Sequence, residues 1–157
     1  MATTSNAGTF KTRFSFPVGA GRTDTVCIAN SITSTTVIND VWRLCSVPKG
    51  ITFFDAFVQN AALDSNATPL GAYSLYITDG TTIKVLIAGT TSIGTGGLYR
   101  AQSAPATATA IGWTTDNSSY QIHFKQTAAA ATAVTSAAVN VVVTVGGNYV
   151  SGAITNE

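Results

Sequence analysis

Between Val37 and Asn60 the chain reads VINDVWRLCSVPKGITFFDAFVQN, two runs of alternating side chains divided by Pro48-Lys49-Gly50. A period of two places successive side chains on opposite faces, which marks half-buried strands. Pro fixes φ and Gly tolerates positive φ, so the tripeptide between them is a turn. In the first run Val41, Arg43, Cys45 and Val47 share one face, with Trp42, Leu44 and Ser46 on the other. In the second, Ile51, Phe53, Asp55, Phe57 and Gln59 oppose Phe54, Ala56 and Val58. The two strands are expected to be neighbours.

The same rhythm and the same punctuation recur along the chain. Thr9 to Phe16 (TFKTRFSF) sets Phe10, Phe14 and Phe16 against Lys11, Arg13 and Ser15, with Thr12 as the exception on the apolar side. Further strands are expected around Thr25–Ala29, Gly71–Thr78, Thr81–Ala88, Tyr120–Lys125 and Ser136–Val145. Asp79-Gly80 between two alternating runs is a hairpin signal. Over Thr82–Thr91 the apolar residues Ile83, Leu86 and Ile87 also fit a short helix, and both readings stay open. Residues 1–8 are small, polar and aperiodic, which marks a flexible N-terminal arm. Ala61–Leu70 and Gly89–Gly97 read as loops, Ala101–Ala110 as a low-complexity linker, and Ala128–Ala133 as a loop or single helical turn. About eight strands, at most one short helix and no internal repeat predict an all-β antiparallel sandwich or barrel, one domain over residues 9–157.

A chain of 157 residues can bury one real core. Charged residues make up only 10% of it, against about 25% in an ordinary globular protein, so hydroxyls and amides must supply the polar surface. Eight Lys plus Arg against seven Asp plus Glu leave a formal charge of +1, which gives no electrostatic footprint for nucleic acid or an anionic membrane. Low charge is a property of proteins that pack into larger assemblies, and a solvent-facing Thr-rich sheet reads the same way. The N-terminus lacks the basic and apolar regions of a secretory signal, and no apolar run approaches the roughly 20 residues of a membrane-spanning helix. Synthesis in the cytoplasm is therefore expected. Cys27 and Cys45 lie in apolar strand-like stretches, where free cysteine behaves as a small hydrophobe, and cytosolic assembly disfavours a disulfide.

No constellation of reactive groups stands out, and no catalytic, metal or cofactor residues are assigned. The single histidine, His123, alternates outward from the apolar face of its strand with no nucleophile or acid named beside it, so it reads as a solvent-facing strand residue. Gly94-Thr95-Gly96-Gly97 lacks the strand-then-helix setting of a phosphate cradle. Asp55, Asp64, Asp79 and Asp116 could offer oxygen ligands to a cation, but no spacing is that of an EF-hand and turn chemistry accounts for the last three. Trp42, Trp113, Tyr73, Tyr76 and Tyr99 could build a sugar-stacking platform, though aromatics in a small β-protein more often belong to core or subunit interface. Asn66-Ala67-Thr68 and Asn117-Ser118-Ser119 match glycosylation acceptors by chance in a chain so rich in Ser and Thr.

One long segment, however, resembles a known family. Trp42-Arg43-Leu44, the Pro48-Lys49-Gly50 turn, the apolar strand Ile51–Val58, Leu63-Asp64-Ser65 and the strand Tyr73–Asp79 follow the pattern of jelly-roll decoration (cement) proteins of tailed-phage capsids. IAGTTSIGTGGLYR resembles that family's short helical or loop segment with its Gly-rich exit, and YQIHFKQTAAAATAVTSAAVNVVVTV its last two strands. The likeness spans roughly residues 40–150 and its motifs are structural, not catalytic. It implies a jelly-roll sandwich that is not an enzyme and forms a homotrimer. It further implies a virion protein on the outer capsid surface that reinforces contacts between major capsid subunits. The arm at residues 1–8 would then order on a neighbour. A host-attachment or carbohydrate-binding module is the alternative.

Overall fold

The alternating runs become eight strands in a computed structural model, which describes residues 23–32, 38–47, 49–101, 105–116 and 119–147. They are β1 (Thr23–Ile32), β2 (Val41–Ser46), β3 (Ile51–Asn60), β4 (Ala72–Thr78), β5 (Ile83–Thr90), β6 (Gly97–Arg100), β7 (Gln121–Ala128) and β8 (Ala137–Gly147). One four-residue helix, α1 (Thr91–Gly94), separates β5 from β6, and Pro105–Thr107 make a 3-10 turn. The expected arm at residues 1–8 and the expected strand Thr9–Phe16 lie outside the described residues.

Among the described residues the strands pair antiparallel in two four-stranded sheets, in the order β1-β8-β3-β6 (sheet I) and β2-β7-β4-β5 (sheet II). β4 pairs with β5, β3 with β6, β2 with β7 and β1 with β8. A long hairpin bent over three times between two layers has this order, the jelly-roll topology. The Asp79-Gly80 hairpin is present, with Gly80 at φ 95 and the Asp79 carboxylate accepting from the N–H groups of Thr81 and Thr82. β2 and β3, by contrast, lie in different sheets. The turn before β3, with Gly50 at φ 81, is thus an arch between layers, not a hairpin.

The core lies between the sheets. Val139, Val141, Val143 and Val145 of β8 face Leu75 and Ile77 of β4, Ile122 and Phe124 of β7, and Leu44 of β2, all at 1% exposure or less. Tyr73 stacks on Phe124 at 5.5 Å between centroids, with Trp42 tilted against the same ring at 6.0 Å. Burying each such aromatic is worth on the order of 2–3 kcal/mol, so the centre of the sandwich holds the largest apolar side chains.

Bulges in three strands set the faces differently from a strict alternation. In β3 the register shifts between Phe53 and Asp55, so Ile51, Phe53, Ala56 and Val58 are buried while Phe54, Phe57 and Gln59 turn outward. In β2 it shifts between Arg43 and Cys45, and Trp42, Leu44 and Val47 form the buried set. In β5 adjacent Leu86 and Ile87 are both buried and Ile83 is 63% exposed. A bulge that turns two neighbours to the same side leaves the helix-like spacing seen over Thr82–Thr91, which is strand through Thr90.

Candidate interaction surface

A loop cluster at one end of the sandwich fixes the two sheets relative to each other, and Asp64 is its centre. Asp64 follows β3 and is 2% exposed. Its Oδ1 accepts from the N–H groups of Asn66 (3.1 Å) and Thr132 (2.9 Å). Its Oδ2 accepts from Leu70 (2.9 Å), Gly71 (3.0 Å) and Ala131 (2.8 Å). Burial alone would raise this carboxyl, yet the N–H donors of Ala131, Gly71, Thr132 and Leu70 hold it far below the usual carboxylate range. One carboxylate therefore ties the β3–β4 loop to the β7–β8 loop, and the Ala128–Ala133 segment is that loop, not a helical turn.

The glycine-rich segment belongs to the same cluster. The Gly94 carbonyl accepts from the N–H groups of Leu63 and Asp64, and a Cβ at Gly94 would come 2.1 Å from the Gly71 carbonyl oxygen. Gly96 has φ 82, and a Cβ there would lie 2.7 Å from the Ala62 nitrogen. These glycines answer to close backbone contact and left-handed geometry, not to an anion. The segment expected to be a loop over Gly89–Gly97 is instead the end of β5, then α1 capped by the Thr90 hydroxyl, then the start of β6. The strand β6 has no counterpart among the expected strands.

The remaining candidate residues do not converge. Asp55 pairs with Arg100, Asp79 caps the hairpin, and Asp116 is exposed. Among the described residues no group of three or more His, Cys, Asp or Glu could hold a metal ion. Trp42 and Tyr73 are in the core, Tyr99 packs against it, and Trp113 lies edge-on to Tyr120 at 5.0 Å with Lys84 over its ring. Only Tyr76 of the five lies on an outer sheet face, edge-on to His123 at 5.3 Å. Asn66 works within the Asp64 loop, where its side-chain oxygen accepts from the Thr68 N–H; Asn117 lies outside the described residues.

His123 does face outward from sheet II, yet it is only 9% exposed, because Tyr76 and Gln121 cover it. Burial, and then the Arg43 charge opposite it in register, lower its pKa to about 4. The ring is neutral at pH 7. Arg43 and Lys125 share this outer face, and β2, β4, β5 and β7 contain no Asp or Glu.

The outer face of sheet I is the opposite in character. One row across it is Cys27, Val142, Phe57 and Arg100, and the next is Ala29, Asn140, Gln59 and Leu98. Leu98 is 63% exposed and Phe54 45%. Among the described outward side chains of this face Asp55 and Arg100 are the charged ones, and they neutralise each other; the Arg100 guanidinium also lies 6.0 Å from the Phe57 ring centroid. Cys27, expected to be buried, is exposed in the first row, while Cys45 of sheet II packs against the core. Both are free thiols, and burial pushes the Cys45 thiol far above its usual range. The outer face of sheet I is thus broad, neutral and partly apolar.

No family model matches the chain, and no curated protein matches it. Among solved structures, its fold is similar to a chain of the capsid of Ralstonia phage GP4, with a TM-score of 0.72 at 16% identity, covering 94% of this chain and 99% of that one. It is also similar to a chain of the Cyanophage Pam1 capsid asymmetric unit, with a TM-score of 0.58 at 21% identity, covering 88% and 95%. At these identities the likeness is one of fold: the chain is an all-β antiparallel sandwich of the kind found in both.

Proposed function

We propose that this chain is a virion structural protein that decorates the outer surface of an icosahedral phage capsid and stabilises it through non-covalent contacts with major capsid subunits. The observation that carries the reading is the whole-length match to a chain of a phage capsid, 94% of this chain against 99% of that one. A fold alone does not fix a function. Here it is joined by a low charge, a neutral sheet face and a set of Asp, Gly and His residues that are spent on holding the fold. The motifs of residues 40–150 that resemble cement proteins point the same way, and with them to a homotrimer without enzymatic activity.

A protein that binds only the assembled shell stabilises that shell by mass action, and weak contacts repeated over symmetry-related sites gain avidity. Trp42 and Tyr73 lie in the core and lend the attachment-module alternative no support, while Trp113 is half-buried. Mixing purified protein with undecorated capsids and following co-sedimentation tests the proposal. Saturable binding at a fixed number of copies per capsid, with a raised shell melting temperature, is expected. A folded protein that leaves the shells bare overturns it, and a glycan array would then examine the alternative.

A further inference from the structure

We propose that the outer face of sheet I is the surface on which a second copy of this chain packs. The inference deepens the oligomeric part of the reading above. It concerns the free protein, so a failure to bind shells would leave it standing.

Three observations select this face and this occupant. The first is charge. Asp55 and Arg100 compensate each other within the face, so two copies can meet there without apposing like charges. The outer face of sheet II cannot do this, because Arg43 and Lys125 have no acidic residue in its strands to oppose them.

The second is size. Three strands about 4.8 Å apart, each presenting some five outward residues at roughly 7 Å spacing, and the four-residue β6 at one edge make a face of at most about 20 Å by 30 Å. With the edge strand β6 contributing only Leu98 and Arg100, that is about 500 Å², some two thirds of the roughly 800 Å² per partner of a standard interface.

The third is composition. Phe57 and Val142 lie side by side in the middle row, with exposed Leu98 at one edge and exposed Phe54 beside Asp55, while the amides of Asn140 and Gln59 and small or hydroxyl-bearing residues make up most of the rest. Uncharged centres with an aromatic anchor, and an Arg at the margin, are what protein interfaces concentrate. In a ring of three this face would sit against a different patch of the neighbouring copy, since a face that meets itself closes as a twofold pair.

Cys27 supplies the reporter, since it is exposed in the same row as Phe57 and Val142 while Cys45 packs on the core. The experiment follows the reaction of the free protein with an aromatic disulfide reagent alongside its sedimentation, for the wild type and for Val142→Lys. The wild type is expected to sediment as an oligomer whose Cys27 reacts on the order of tenfold more slowly than in the variant. Val142→Lys is expected to sediment as single copies with an unchanged circular-dichroism spectrum. Should it not fold, Gln59→Lys at an exposed position of the next row makes the same comparison. A wild type that stays single-copy overturns the proposal. So does an oligomer whose Cys27 labels as fast as in the variant, or one that keeps its size with lysine in this face.

Discussion

β3 of sheet I and β2 of sheet II each carry a bulge beside an outer-face charged residue, and these two bulges send their extra residue in opposite directions. In β3 of sheet I the extra residue is Phe54, 45% exposed, with the Asp55 carboxylate satisfying the N–H of Ala56 next to it. In β2 of sheet II it is Leu44, 1% exposed. The same irregularity thus adds an aromatic to the surface of one sheet and an aliphatic to the core under the other. The outer faces differ to match: sheet I is neutral and partly apolar, sheet II carries Arg43, Lys125 and a covered His123. What this teaches is that a bulge is chosen for where its residue goes, since the ladder is disturbed alike in both cases.

Leu44→Ala gives the largest effect that would sharpen the contrast. Truncating a fully buried leucine is expected to cost about 2–5 kcal/mol, read from the urea midpoint at unchanged slope. Asp64→Ala comes next, at about 2–4 kcal/mol, because five backbone N–H groups lose their acceptor and the two loops that hold the sheets together lose their tie. The Asp64 carboxyl is depressed in the folded state. Its stabilisation is therefore complete above the usual carboxylate range and is lost as pH falls below about 4. In Asp64→Ala that acid limb of the stability profile should flatten.

His123 acts in a higher window. Its folded pKa of about 4 lies below the ordinary 6.5, so the unfolded chain takes up a proton that the folded one refuses, and stability declines as pH falls from 6.5 towards 4. His123→Gln should flatten the profile between those values alone, measured by thermal melts across pH. A wild-type profile flat over that window would break the account of sheet II as the face that titrates. The smallest effect belongs to Phe54→Ala, expected at about 0.5–1 kcal/mol because the side chain is 45% exposed and leaves no core cavity. If Phe54→Ala and Leu44→Ala cost the same, the two bulges are not opposites and the comparison fails.

Much of this architecture was legible in the residues. The alternation from Tyr120 into β7 puts Tyr120, Ile122 and Phe124 inward as expected, and the valines of β8 follow the same rule. The strands expected near β1, β3 and β4 are present with shifts at their ends. The expected faces of β2 and β3 missed because a bulge carries no signal of its own in a single sequence: Phe54 and Leu44 are both apolar, yet one is outside and the other inside. The arch between β2 and β3 was unreadable for a similar reason, since a turn rich in Pro and Gly serves hairpins and crossings alike.

β6 escaped notice because four residues, Gly97-Leu98-Tyr99-Arg100, are too few to print a period. The role of Asp64 could have been suspected from the Leu63-Asp64-Ser65 loop, but its donors at Ala131 and Thr132 are brought near only by the fold. The neutral face of sheet I was latent in the low charge of the chain. Which residues make it follows from register, which places Cys27, Val142, Phe57 and Arg100 in one row from four distant strands.

The most direct test of the account is electron cryomicroscopy of undecorated phage shells saturated with the purified protein. The account predicts ordered sandwiches at symmetry-related positions on the outer surface, with neighbouring copies in contact through the face that holds Phe57 and Val142. Shells without added density, or with the protein bound only on the inner surface, would contradict it.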